Sequence, residues 1–235
     1  MSTTPPGLTA QLATRVAELR FVDLSPLALE RSIASIVDWV GCALEGSTTP
    51  EAAAARAVAL AEGGGTPTAQ VLGHALRVAP SAAALANGTA GHALDFDGSS
   101  PPMIGHPSTS LVPALLALAE ADGASGAQFV TAYVAGLEAA ARLGRHLNPS
   151  HYAAGWHATA TLGTIGATTA AAKLLGLDVL RIRMALGIAC SSAGGIRKNF
   201  GSGVKPLHAG FAARNGVMAA RLAAAGMTAD PDALE

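Results

Sequence analysis

The sequence is poor in charged residues. Only 13% of its 235 residues are Asp, Glu, Lys or Arg, whereas 50% are hydrophobic, and an average globular domain carries roughly 25% charge. Polar groups are too few to cover a lone helical bundle, so we expect a homodimer or an attached second chain. The net charge is −1 and the basic residues form no stripe. We therefore expect no nucleic-acid partner.

Aromatic residues and long hydrophobic runs are also scarce. Aromatics make up 4% of the chain, and Ala, Leu and Val carry its apolar weight, which favours closely packed helices. A membrane-spanning helix needs about 20 consecutive apolar residues. The longest uncharged stretch, between Arg145 and Lys173, is interrupted by Pro149 and three histidines. We expect no membrane partner.

The cysteines and the N-terminus indicate the compartment. Cys42 and Cys190 both lie in apolar helical patterns, as expected of buried thiols in a reducing cytoplasm rather than of a disulfide. The first residues, MSTTPPGLTAQ, have neither a basic region nor an apolar core, so the pattern predicts no secretory signal. We expect a cytoplasmic protein.

Helical patterns dominate the chain. Ser25-Pro26 is typical of a helix start, and apolar residues recur at helical spacing up to Gly46. Thr49-Pro50 begins a second helix, which runs to Gly63. Weak alternation over residues 69–78 predicts a short hairpin. Further helices are predicted over 81–92, 108–121, 125–144, 159–175, 179–192 and 206–225. The sequence thus predicts one all-α bundle over residues 1–235, with at most one small hairpin.

Three polar or glycine-rich loops interrupt this pattern, over residues 95–106, 147–157 and 194–205. Loops between stable helices often carry functional residues. The first loop contains Asp95, Asp97, Ser99 and His106. These residue types can form a site, but they also solvate ordinary loops.

The second and third loops add histidines and cations. His157 stands directly before a predicted helix, where the positive helix end favours an anionic ligand. Alternatively, it packs under Trp156. His146 and His151 lie nearby, but no carboxylate or cysteine accompanies them at ligand spacing, so we expect no metal. Arg197, Lys198 and Lys205 form either a carboxylate clamp or a solvated surface.

Common cofactor and nucleophile motifs are missing. The sequence contains no Walker motif, no dinucleotide fingerprint after a strand and no nucleophile elbow. We expect no cofactor.

The three loops, taken together, resemble the MmgE/PrpD family, which includes 2-methylcitrate dehydratase, cis-aconitate decarboxylase and iminodisuccinate epimerase. The resemblance runs from about Asn87 to Gly226, in the family's order and spacing. The matching segments are NGTAGHALDFD, GHPSTSLVPALLALAE, YVAGLEAAARLG, HYAAGWHATATLGTIGA, AAKLLGLD and NFGSGVKPLHAGFAARNGVMAARLAAAG.

The resemblance implies a pocket for small di- or tricarboxylates. The family's pocket positions fall on Asp95, His106, His157 and Lys205. Where the family has DFDDT, this sequence has DFDGS, so Gly98 replaces an acid and Ser99 a threonine. The family's GxHPTGT is GWHATAT here. These departures affect the expected substrate rather than the pocket.

The resemblance also implies a second, α/β domain, which supplies a further histidine and tyrosine in the decarboxylase. This sequence shows only the helical part. We therefore expect either a fragment or a chain that a separate polypeptide completes.

The family's chemistry removes a proton or CO₂ next to a carboxylate, which requires a base and cations. We expect His157 to transfer the proton and Asp95 to orient a neighbouring group, while His106 and Lys205 bind carboxylates. The two histidines could exchange roles. Ser99, Arg197 and Lys198 are further substrate-binding candidates. The first hypothesis is a lyase that dehydrates or decarboxylates its substrate. The others are an epimerase of a small dicarboxylate and a non-catalytic binding subunit.

Overall fold

The computed structural model describes residues 7–235, which form ten α-helices and one two-stranded hairpin. The predicted all-α fold with a short hairpin is therefore confirmed. The N-terminal segment MSTTPPGLTAQ, for which the sequence predicts no secretory signal, begins with residues 1–6, and these six residues lie outside the described range. The helices are α1 Leu8–Glu18, α2 Pro26–Gly46, α3 Pro50–Glu62, α4 Pro80–His92, α5 Ser108–Asp122, α6 Gly126–Leu147, α7 Ser150–Ala153, α8 Ala158–Leu174, α9 Val179–Ser192 and α10 Val204–Ala224.

Side-chain caps begin several of these helices where the sequence predicts them. The hydroxyl oxygens of Ser25 and Thr49 accept backbone N–H groups at the starts of α2 and α3, each followed by proline. Ser125 and Gln128 form a reciprocal capping box at α6, and Asp178 caps α9. Each cap satisfies N–H groups that have no partner within the helix.

The hairpin pairs β1 (Ala69–Val71) with β2 (Leu76–Val78) in antiparallel register. Gly73 has a positive φ of 77° in the connecting turn, which glycine adopts without steric cost. Asn87, buried in α4, donates to the Gln70 carbonyl at 2.8 Å and accepts the Leu72 N–H at 2.9 Å. These two bonds fix the hairpin against α4.

The core is built around α4, α8 and α10. Every residue of α8 from Ala158 to Ala172 is buried, so this helix is enclosed on all sides as a central helix. The hydroxyl groups of its buried threonines Thr164, Thr168 and Thr169 donate to carbonyl oxygens one turn earlier. Glycines bring α4 and α10 together, since a Cβ on Gly88 would lie only 2.9 Å from the Gly210 Cα. Within residues 7–235, no helix combines the length and hydropathy that crossing a membrane requires.

Hydrogen bonds connect the three loops at one end of these central helices. The His106 N–H donates to the Thr159 Oγ1 at 3.1 Å, which ties the first loop to α8. The His157 N–H donates to the Gly195 carbonyl at 2.9 Å, which ties the second loop to the third. Lys205, at the start of α10, forms an ion pair with Asp95 of the first loop. The loops thus meet although whole helices separate them in sequence.

Candidate active site

Asp97 lies between two histidines at the base of the site. Its side chain is fully buried, and its Oδ1 lies 2.9 Å from the His92 Nδ1. The His106 Nδ1 lies 3.4 Å from the Asp97 Oδ2 and 2.9 Å from the Asp97 carbonyl oxygen. Because carbonyl and carboxylate oxygens only accept, both Nδ1 atoms must carry protons. Asp97 therefore keeps a proton on the Nδ1 of each ring.

The electrostatics of this group follow from burial and pairing. Burial alone would raise the pKa of Asp97, but hydrogen bonds from His106 and His92 outweigh it and lower that pKa to about 2. Burial alone would lower the pKa of His106, but Asp97 outweighs it and raises that pKa above its usual value. Asp97 is thus anionic, and it favours a cationic His106.

Asp95 and Lys205 form the more exposed part of the site. The Lys205 Nζ lies 2.5 Å from the Asp95 Oδ2, and the His106 Nε2 lies 3.7 Å from the Asp95 Oδ1. The Asp95 side chain is 52% exposed. Burial would raise the pKa of Asp95, but the Lys205 ammonium outweighs it and lowers it. Asp95 has a φ of +58°, a conformation uncommon outside glycine, which places its carboxylate beside two cationic groups.

His157 precedes α8 and lies within the same group of rings. It is 2% exposed, and its ring stacks on His92 with 5.9 Å between centroids. The edge contact with Phe200 measures 4.8 Å. Burial lowers the pKa of His157 to about 3, with further contributions from the positive charges that His92, His208, Lys205 and His106 can carry. His157 is therefore neutral near neutral pH. It occupies the N-cap position of α8, but its side chain makes no capping hydrogen bond.

Trp156 does not cover His157. It is 42% exposed and stacks instead on His151, with 6.1 Å between centroids. The backbone of Trp156 also forms an isolated antiparallel β-bridge with that of Ile196. This bridge joins the second and third loops beside the site.

The remaining predicted residues lie in different surroundings. The Arg197 guanidinium covers the Tyr152 ring at 3.8 Å, and its Nη1 donates to the Tyr152 carbonyl at 2.9 Å. Ser99 and Lys198 are exposed, and neither makes a hydrogen bond or ion pair with another described residue. The structure thus brings Asp95, His106, His157 and Lys205 together. Ser99 and Lys198 lie at the surface, and Arg197 joins the second loop to the third.

Two histidines that sequence reasoning did not select complete the group. His92 is the last residue of α4, three residues before Asp95 in the sequence. His208 lies three residues after Lys205 in α10, and its Nδ1 is 3.0 Å from the His157 Nδ1. The helical i,i+3 spacing of Lys205 and His208 was a usable signal, because such residues share a helix face.

Four of these residues have the donor types of a metal site. One ligand atom from each of His92, Asp95, Asp97 and His106 lies within 4.8 Å of the others. However, the Lys205 ammonium already pairs with Asp95. A metal would add positive charge directly beside this ammonium, so the arrangement favours an organic anion beside Lys205 and His106 over a metal cation.

The geometry defines the class of protein: an all-α domain in which histidine, aspartate and lysine side chains join three loops. The sequence matches the MmgE/PrpD N-terminal domain over residues 10–235, and the chain belongs to the MmgE/PrpD family. The resemblance noted from the sequence is thereby confirmed.

Curated relatives of this chain are cis-aconitate decarboxylases. It is 36% identical over 233 residues to the cis-aconitate decarboxylase-like protein oryM of Aspergillus oryzae, covering 94% of this chain and 48% of that protein. It is 33% identical over 235 residues to the cis-aconitate decarboxylase of Homo sapiens, covering 97% and 48%. The Aspergillus terreus decarboxylase is 32% identical over 239 residues, with the same shares. The chain spans about half the length of these relatives.

Proposed function

We propose that this chain carries the carboxylate-binding and proton-transfer site of an MmgE/PrpD lyase that decarboxylates a small tricarboxylic acid such as cis-aconitate. The observation that carries the proposal is the convergence of Asp95, His106 and Lys205 beside the neutral His157. The names of the curated relatives support this substrate class.

The half-exposed Asp95–Lys205 pair provides the binding step. An ion pair of this exposure contributes little net free energy, so a substrate carboxylate can take over the Lys205 ammonium at small cost. The raised pKa of His106 provides a second positive charge near neutral pH. Two cationic groups on one side of the site match the carboxylates of a di- or tricarboxylate.

The proton-transfer step falls to His157. A bound tricarboxylate brings negative charge close to the imidazole, which raises the pKa of His157 from its low value in the free site. Loss of CO₂ leaves an electron pair on carbon next to a carboxylate. His157 takes up a proton from solvent when the substrate binds and then gives that proton to this carbon, which completes the product, while Lys205 and His106 stabilise the developing negative charge.

The test follows candidate acids by NMR in D₂O with the chain present. We expect cis-aconitate to lose a carboxylate and to gain deuterium at the neighbouring carbon, and His157→Gln to abolish this. His151→Gln is the matched control, because His151 lies in the same loop and bonds Thr161 outside the group.

The other outcomes separate the alternatives. Deuterium at the α-carbon of a dicarboxylate without carbon loss would replace the lyase by an epimerase. Saturable binding without any exchange would indicate a binding subunit. Absence of both binding and exchange would contradict the carboxylate site.

A further inference from the structure

His157 and His208 form a buried imidazole pair. Their Nδ1 atoms lie 3.0 Å apart, and the ring centroids are 5.3 Å apart at an angle of 52°. His157 is 2% exposed and His208 is 4% exposed. The pair connects the start of α8 to α10, one helical turn after Lys205.

The backbone of the third loop holds this pair in place. The His157 N–H donates to the Gly195 carbonyl at 2.9 Å. Gly195 also lies against the second ring, since a Cβ there would be 3.3 Å from the His208 Cδ2 and 2.5 Å from the Ala160 Cβ. One residue of this loop thus holds the backbone of His157 and packs against the ring of His208.

Both rings are neutral near neutral pH. Burial lowers the pKa of His157 to about 3. Burial also lowers the pKa of His208, and the electrostatic effect of His92 adds to this to a smaller extent. A neutral imidazole has one N–H and one lone pair. An Nδ1-to-Nδ1 hydrogen bond therefore requires opposite tautomers, with Nδ1–H in one ring and Nε2–H in the other.

We propose that His208 is a positioning residue that accepts the Nδ1–H of His157 and thereby keeps a lone pair on the His157 Nε2. The direction rests on the proposed function, because a residue that exchanges protons with substrate needs that nitrogen free to accept. The principle is general: the hydrogen bond made by one ring nitrogen sets the protonation of the other.

The alternative direction would have a different consequence. If the His208 Nδ1–H donated to His157, the His157 Nε2 would already carry a proton and could not take up the one that the imidazole transfers to the substrate.

The experiment is ¹⁵N NMR of the chain labelled at histidine, at pH 7 and without substrate. Protonated and unprotonated ring nitrogens differ widely in chemical shift, so both tautomers can be read directly. We expect Nδ1–H with a bare Nε2 in His157, and Nε2–H with a bare Nδ1 in His208. The opposite assignment would overturn the proposal.

Two variants test whether His208 is the cause. His208→Asn places an amide oxygen near the former Nδ1, so we expect the His157 tautomer to be retained. His208→Leu removes the acceptor, so the His157 signals should move towards the Nε2–H tautomer. An unchanged His157 spectrum in the folded Leu variant would contradict the proposal. If that variant does not fold, the wild-type and Asn spectra still decide it.

This test is independent of catalysis. If the tautomers are as expected but cis-aconitate neither binds nor reacts, the proposed function fails and the positioning of His157 by His208 stands. If the acid reacts and the tautomers are reversed, the opposite holds.

Discussion

Asp97 organises the site at the scale of single residues. It is a fully buried carboxylate that contacts two histidines, and a buried charge is tolerated only when it is paired and hydrogen-bonded. His92 and His106 provide that pairing. In return, Asp97 fixes the orientation of both rings, and through His106 it prepares a positive charge for a ligand.

Replacing this carboxylate should change its neighbour's ionisation. In Asp97→Asn, burial of His106 is no longer opposed by a negative charge, so we expect the raised pKa of His106 to fall below its usual value. NMR titration of the ring protons measures this directly. Asp95→Asn serves as the control. The Asp95 Oδ1 lies 3.7 Å from the His106 Nε2 and the side chain is half exposed, so this substitution should lower the pKa of His106 less. An unaltered titration in Asp97→Asn would contradict this account.

His157 should make the protein sensitive to mild acid. Its folded-state pKa of about 3 lies below the unfolded value of about 6.5. As pH falls below 6.5 the unfolded chain takes up the proton first, so the free energy of unfolding decreases until about pH 3. At pH 5 this one group should cost about 2 kcal/mol relative to pH 7.5.

His208, whose pKa burial also lowers, acts in the same direction as His157, whereas His106 and Asp97 act with the opposite sign or in a different pH range. The raised pKa of His106 gives a stabilisation that is complete below the unfolded pKa and is lost as pH rises through the folded one. The stabilisation by Asp97 is lost only as pH falls from about 4 towards 2. Urea unfolding at pH 7.5 and 5 should therefore show a smaller loss for His157→Gln than for the wild type. Equal losses would refute the assignment.

At the scale of elements, the site depends on the approach of α4 and α10. His92 ends α4, while Lys205 and His208 lie in the first turns of α10. The two helices meet through Gly88 and Gly210, where no side chain separates the backbones. Close glycine contacts of this kind fix the distance between the residues that the helices carry.

A methyl group at this contact should be costly. In Gly210→Ala, the new Cβ would lie 2.5 Å from the Leu85 carbonyl oxygen and would also overlap the Thr89 hydroxyl. We expect a loss of about 1–3 kcal/mol in unfolding free energy, as for other overpacked cores.

Gly126→Ala is the matched control for that substitution. A Cβ at Gly126 meets no described heavy atom within 4 Å, and Gly126 begins α6 with an ordinary helical backbone. There the change should stabilise by about 0.4–1 kcal/mol, since it restricts the unfolded chain. If urea unfolding gave the same sign for both variants, the close approach would not control stability.

Local signals explain which elements could be predicted. Helices α2, α3, α6 and α9 begin at polar caps that the sequence shows directly. The helix α1 was not predicted, because its N-cap, Gly7, offers no side chain and no proline follows. The four-residue α7 was missed for a similar reason, since neither a cap nor apolar periodicity marks it.

The site was predictable only where motifs carry it. Asp95, His106, His157 and Lys205 stand in loops or beside helix starts, where sequence patterns draw attention to them. His92 ends α4 and His208 lies in α10, both among apolar neighbours, and only the packing of α4, α8 and α10 brings their rings to His106 and His157. The i,i+3 spacing from Lys205 is a local signal for His208, whereas the contacts of His92 have no local signature.

At the scale of the whole molecule, an apolar stripe remains uncovered. Ile33, Val37 and Leu44 follow helical spacing on α2, and each is about half or more exposed. The low charge content of the sequence predicts incomplete coverage of this kind. Exposed stripes of this type commonly form contacts between protein chains.

We therefore expect the chain to self-associate through α2, at least to a dimer. Val37 is 65% exposed, so Val37→Glu should leave the fold intact and weaken association. Leu180→Glu is the control, because Leu180 is similarly exposed, at 61%, but lies on α9. Sedimentation velocity at micromolar concentration distinguishes the variants. A monomeric wild type would disprove the prediction.

The carboxylate site is tested most directly by calorimetric titration of cis-aconitate into the wild type and Lys205→Met. We expect saturable binding that weakens about ten- to a hundredfold in the variant, because one partly buried ionic contact contributes roughly 1.5–3 kcal/mol. Arg142→Met, which removes an exposed charge paired with Glu138, should bind as the wild type does. Equal affinities for wild type and Lys205→Met, or no binding by either, would contradict the carboxylate site.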